Sequence, residues 1–72
     1  MRRFDSKALY QALDEQRRSR KLSWREVAAE IGVNVSTMSR TRNGGRLEVD
    51  GMLATVGWLG VPVETFVHES ST

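Results

Sequence analysis

The chain has 72 residues, 11 of them Lys or Arg and 9 Asp or Glu, with no cysteine. That length supports one domain with one modest core, so function has to sit on its surface, and enzymes needing a deep interdomain cleft are disfavoured. Without cysteine there are no disulfides, thiolate nucleophiles or thiolate zinc sites, and the absence of any long apolar run, at the N-terminus or elsewhere, reads as a cytoplasmic protein that does not enter a membrane.

Residues 5 to about 18 carry Leu9 and Leu13 at helical spacing among good helix formers, with Asp5 or Ser6 placed to cap the start, and predict a first helix. Arg17-Arg18-Ser19-Arg20-Lys21 suits its end, where cations meet the negative pole of the helix dipole. Ser23-Trp24-Arg25-Glu26 is a capping box and opens a second helix, with Val27, Ala28 and Ile31 as its apolar face and Gly32 as its stop. Asn34 reads as the N-cap of a third helix that runs to about Arg42, anchored by Met38 and ended by Asn43-Gly44-Gly45. Met52, Leu53, Val56 and Leu59 predict a fourth helix over about Val49 to Leu59, closed by Gly60. After Val61-Pro62, Val63 to Val67 is expected to form a last short helix with Phe66 inward, and His68 to Thr72 a frayed tail.

No strand alternation is visible, so the expected fold is all-α: a compact five-helix bundle forming a single domain over 1–72. Its core is expected over about 5–67, built from Leu9, Leu13, Leu22, Val27, Ala28, Ile31, Met38, Leu53, Val56, Leu59 and Phe66, with 1–4 and 68–72 as flexible ends.

The charges are segregated. Between Arg17 and Arg46 there are eight basic residues against Glu26 and Glu30, a local excess of +6, whereas the rest of the chain sums to −4. A solvated surface ordinarily mixes signs, so this pattern points to a side that faces a polyanion. The relation between the second and third helices points the same way. A small residue (Ala28), a glycine four positions later (Gly32) and a large apolar residue six further on (Met38) give the spacing of a helix-turn-helix, in which the second helix of the pair is held outward for the major groove.

Leu22 to Val33, followed by Ser36-Thr37-Met38-Ser39-Arg40, resembles the phage repressor/Cro-like (XRE-type) helix-turn-helix family, and Leu53 to Val67 is similar to that family's fourth and fifth helices. The resemblance implies a lambda-repressor-like DNA-binding domain. Two positions depart from it: Thr41, where the family usually has a large apolar residue, and Gly57 inside the fourth helix.

With Met38 turned to the core, a rotation of 100° per residue places Ser36, Ser39, Arg40 and Asn43 on the opposite, wholly polar side of the third helix. Ser36, Ser39 and Arg40 are therefore the candidate base contacts, Arg40 through guanine O6 and N7. The resemblance adds Val35 as a partner for a thymine methyl. Candidate contacts to the DNA backbone are Ser23 and Trp24 at the start of the second helix, together with Arg25, Arg42, Asn43 and Arg46. Trp24 reads equally as a packing residue, Arg17 to Lys21 either add to the basic surface or merely end a helix, and Arg2 and Arg3 suggest a mobile arm.

His68, the single histidine, has no partner set that the sequence places beside it, so neither catalysis nor metal binding is expected. The expectation is a small transcription regulator, a repressor by the family's habit, without cofactor or small-molecule ligand. It would bind a two-fold symmetric operator in double-stranded DNA as a homodimer, through the fourth and fifth helices, where Trp58 either supplies contact area or caps the core. The competing expectation is a protein-interaction module, such as an antitoxin or accessory factor, using the same bundle.

Overall fold

Asp5 decides where the first helix begins: its Oδ1 accepts the Ala8 backbone N–H at 2.9 Å, one of the donors that a helix leaves unpaired in its first turn. The computed structural model describes residues 2–45 and 47–69, with Arg2 described in its backbone alone. Strand β1 (Arg2–Phe4) precedes helix α1 (Ser6–Ser19); α2 (Trp24–Ile31), α3 (Ser36–Arg42) and α4 (Val49–Leu59) come next, then a 3-10 turn (Val63–Phe66) and strand β2 (Val67–Glu69). Ser6, the other candidate cap, instead donates its hydroxyl to the Gly45 carbonyl, 3.2 Å away, tying the start of α1 to the loop after α3.

The end of α1 is closed by backbone hydrogen bonds. Leu22 N–H donates to Arg17 O at 2.9 Å and Lys21 N–H to Arg18 O at 3.1 Å, with Lys21 in the left-handed region at φ 56°. At the start of α2 the capping box is formed: Ser23 Oγ accepts Glu26 N–H at 3.1 Å and Glu26 Oε1 accepts Ser23 N–H at 2.9 Å. Gly32, at φ 89°, lets the chain turn sharply out of α2, its own N–H and that of Val33 both donating to Ala28 O. Asn34 acts just before α3, its Oδ1 accepting Ser36 N–H at 2.9 Å, so that the regular helix begins at Ser36, two residues beyond the expected cap.

The core is built from Leu9 and Leu13 of α1, Val27 and Ala28 of α2, Met38 of α3, Val56 of α4 and Phe66. Leu22, Ile31 and Leu59 are partly buried against it. Leu53 is not part of it: 52 % of its surface is exposed. The inward face of α4 is shared by Met52, Thr55, Val56 and Leu59, and Leu53 lies roughly 110° around the helix from the middle of that face. Two threonines complete the interior. Thr41 and Thr55 are buried, and each donates its hydroxyl to the carbonyl one turn back, Thr37 O at 2.8 Å and Gly51 O at 2.7 Å. This back-bonding leaves only methyl surface to pack, so the departure at Thr41 is accommodated.

The chain ends differ from expectation. Among the described residues there are four α-helices and a two-stranded sheet, in place of five helices. β1 and β2 pair antiparallel in the register Arg2↔Glu69, Arg3↔His68 and Phe4↔Val67, so the arm expected at Arg2–Arg3 and the tail expected at His68 are both strand, and the segment expected as a fifth helix is one 3-10 turn. Phe4 meets Phe66 edge-on at 6.2 Å, and Asp5 N–H donates to Phe66 O at 2.7 Å. Met1 and residues 70–72, also expected to be loose ends, lie outside the described residues. Among the described residues, no helix is long and apolar enough to cross a membrane.

Lys21 holds a left-handed conformation that costs a residue with a Cβ about 1–2 kcal/mol. Lys21→Gly is therefore expected to raise stability, by about 0.5–1 kcal/mol once the greater freedom of glycine in the unfolded chain is counted, seen as a higher urea midpoint at unchanged slope.

Candidate functional site

Helix α3 has seven residues and is fixed to the rest of the chain by two of them. Met38 and Thr41, three apart on one face, are buried, while Ser36, Ser39, Arg40, Arg42 and the following Asn43 are exposed and Val35 is 42 % exposed. The four residues expected to meet bases, Val35, Ser36, Ser39 and Arg40, thus stand together on one exposed ridge. At the end of α3, Gly44 (φ 74°) reverses the chain and Gly45 N–H donates to Arg40 O at 2.8 Å; a Cβ at Gly45 would come within 3.2 Å of that same carbonyl. The loop therefore tucks under the helix end and leaves the ridge open.

The ridge has two flanks. On one side a cleft of about 100 Å³ is lined by Tyr10, Trp24, Val35, Met38, Ser39 and Arg42, and so brings the start of α2 to α3. Trp24 stacks on Tyr10 with ring centroids 4.9 Å apart and an interplanar angle of 18°, and the Arg17 guanidinium lies 4.9 Å from the Trp24 ring centre. Trp24 is thus packed through its faces, while its indole N–H and the Tyr10 hydroxyl have no hydrogen-bond partner among the described residues. On the other side a cleft of about 460 Å³ separates Ser36 and Arg40 from Glu48 and Asp50 at the start of α4. Those carboxylates mark the edge of the basic surface.

The basic segment divides into two groups. Arg17 donates to Asp14 and, at 3.0 Å, to Leu22 O; Arg18 pairs with Asp14 at 3.3 Å; Arg20 pairs with Glu30 at 3.1 Å. These three brace the end of α1 and its junction with α2, with Asp14 shared between Arg17 and Arg18. Lys21, Arg25, Arg40 and Arg42 are exposed and, among the described residues, have no acidic partner. Arg46, the remaining candidate, lies outside the described residues. Ser23 is partly committed, since its backbone N–H and its hydroxyl oxygen both serve the capping box and only the hydroxyl hydrogen remains to donate. Trp58 donates its indole N–H to Glu30 at 2.9 Å with Arg20 5.5 Å from its ring centre, so it braces α4 against α1 and α2.

Tyr10 is the member of the site that the sequence did not single out. It lies two helical turns from Arg17 on one face of α1, which is visible in the spacing, but its stacking on Trp24 depends on how α1 crosses α2. His68 meets Asp5, with Nε2 3.1 Å from Oδ2. No group of three or more His, Cys, Asp or Glu able to hold a metal ion is present among the described residues. No family model, no curated protein and no solved structure matches the chain.

Two carboxylates tie the fold to pH. The Ser23 backbone N–H, followed by its hydroxyl, holds Glu26 below its ordinary value of 4.5, and the Ala8 N–H, with a smaller contribution from His68, holds Asp5 below its ordinary 3.8. A depressed folded-state value stabilises the fold above the ordinary value and ceases to do so as pH falls through the depressed one. Glu26→Gln keeps an acceptor for Ser23 N–H but removes the titration, so its urea midpoint is expected to fall less than that of the parent chain as pH is lowered below about 4.

Proposed function

We propose that this chain is a sequence-specific DNA-binding protein, a small transcription regulator acting as a repressor, in which α2, the turn at Gly32 and α3 form a helix-turn-helix. The observation that carries the reading is the ridge of α3: every exposed group on it from Ser36 to Asn43 is polar, and Arg40 and Arg42 have no acidic partner among the described residues. A short helix pinned along one side, with donors and unpaired guanidinium groups along the other, is suited to the major groove. Ser36 and Ser39 let the backbone come close to base edges, Arg40 presents a planar fork to guanine, and Val35 offers a methyl-sized apolar contact. Trp24, Arg25, Arg42 and the start of α2 then meet the phosphate strand on the α1 side, with Asn43 at the far end of the helix. The phage repressor/Cro-like resemblance of Leu22 to Val33 and Ser36 to Arg40 supports the same reading.

A seven-residue helix reaches only a few base pairs, so the protein is proposed to bind a two-fold symmetric site as a homodimer. Trp58 is committed to Glu30, which moves the proposed seam to the exposed stripe of α4 formed by Val49, Leu53 and Gly57, at four-residue spacing, with Val49 65 % exposed. Gly57, where an added Cβ would meet nothing within 4 Å, lets a second backbone approach closely. The same stripe is what a foreign protein would use if the chain were an antitoxin or accessory module.

Selection from a random duplex library tests the reading. Arg40→Ala is expected to remove discrimination at one base position, about 1–3 kcal/mol, whereas Arg42→Ala weakens all duplexes alike. Failure of the parent chain to enrich any sequence would overturn sequence-specific reading. Leu53→Asp, at a position outside the core, is expected to leave the thermal midpoint unchanged and turn a dimer into a monomer in sedimentation equilibrium. A parent chain that is monomeric at high concentration, with half-sites bound independently, would remove the dimer from the proposal.

A further inference from the structure

The ribbon at the chain ends presents a charged face that the fold does not use for packing. Phe4 and Val67 pair on the side turned to the core; one residue along each strand, Arg3 lies directly opposite His68 on the other side. Lys7, in the first turn of α1, joins them: the three side chains line one cleft of about 300 Å³, shared with Gly44 of the loop that leaves α3. All three are exposed. The cleft's carboxylate, Asp5, is already committed, one oxygen to the Ala8 N–H and the other to His68. Arg3 and Lys7 have no acidic partner among the described residues. Arg3 and Lys7 therefore bring an unpaired guanidinium and an unpaired ammonium to one cleft, beside the imidazole that Asp5 holds, and two exposed cations of like sign on one cleft favour an anion between them.

The position of the cluster says which anion. Gly44 comes two residues after Arg42, and the Lys7 side chain lies over it, its Cε within 3.1 Å of where a Cβ would stand. A helix of seven residues is about 10 Å long and the major groove about 12 Å wide, so groups just beyond the end of α3 stand beside a phosphodiester strand. Resting on the reading of α3 as the groove helix, we infer that Arg3, Lys7 and His68 form a second phosphate seat, which grips the DNA strand beyond the C-terminal end of α3. The seat carries no sequence information; it fixes the tilt of the helix in the groove. The two seats, Trp24 with Arg42 on one flank and Arg3 with Lys7 at the end, then hold the ridge from two sides.

The experiment compares the parent chain, an Arg3→Ala/Lys7→Ala double variant and Arg40→Ala on a selected duplex and on an unrelated one, across a range of salt. The double variant is expected to keep the parent's sequence preference, to weaken both duplexes by the same factor, and to lower the slope of log affinity against log salt by about 0.9 for each phosphate it no longer neutralises. Since neither side chain is in the core, its thermal midpoint should be no lower than the parent's. An unchanged slope, with the parent chain binding tightly and Arg40→Ala losing preference, would overturn the second seat while leaving the reading of α3 intact. Absence of duplex binding by the parent chain would overturn both. Inorganic phosphate provides the last arm: shifts of the Gly44 and His68 resonances with phosphate, abolished in the double variant while the duplex slope stays unchanged, would assign the cleft to a small free anion and overturn the DNA contact.

Discussion

Everything the proposed surface does depends on two side chains one turn apart. A helix as short as α3 has no stability of its own in water, because nucleation costs more than so few hydrogen bonds return. It exists because Met38 and Thr41 are buried, chiefly against α1, and those same two anchors dictate that the ridge through Ser36, Ser39, Arg40 and Asn43 faces outward. Thr41 can serve as an anchor only because its hydroxyl is returned to Thr37 O; a buried hydroxyl without that bond would cost about 1–3 kcal/mol. The glycine turns at either end then fix how far the helix stands out, Gly32 by turning the chain out of α2 and Gly44–Gly45 by tucking the following loop beneath Arg40.

The basic character of the segment from Arg17 to Arg46 is divided between scaffold and surface. Asp14 and Glu30 hold Arg17, Arg18 and Arg20, and Glu30 also takes the Trp58 indole N–H, so a few exposed carboxylates organise the junction of α1, α2 and α4. Exposed pairs of this kind contribute little individually, about 0–1 kcal/mol, but here they orient the rings of Trp24 and Trp58 as well. Among the described residues Lys21, Arg25, Arg40 and Arg42 remain to set the field outside. Glu48 and Asp50 bound that field on the α4 side, which gives the surface a direction: the proposed contacts to the phosphate strand lie towards α1 and α2.

At the chain ends the same economy of charge reappears in a different architecture. The antiparallel pairing of Arg2–Phe4 with Val67–Glu69 covers the Phe66 side of the core and brings the start of α1, the ribbon and the loop after α3 to one place. Asp5 links the first two of these, since it caps α1, bonds its own N–H to Phe66 O and holds His68, while the Ser6 hydroxyl ties α1 to the loop through Gly45 O.

The sequence by itself determined four of the five expected helices, most of the core and the outward face of α3. Those features are written in local chemistry: the capping box at Ser23 and Glu26, the stops at Gly32, Gly44 and Gly60, the span Val49 to Leu59, and a 100° rotation from Met38. It also carried the polar candidates Ser36, Ser39, Arg40, Arg42 and Asn43, because a residue's side of a helix is set by its distance along it. Only the tertiary structure decided which cations stay free, since pairs such as Arg20 with Glu30 depend on how α1 lies against α2. It decided likewise that Tyr10 stacks on Trp24, that Leu53 stands outside the core and that the ends pair as strands. Three-residue strands are too short to show an alternation, and their partners are more than sixty residues apart, so no local pattern announces them.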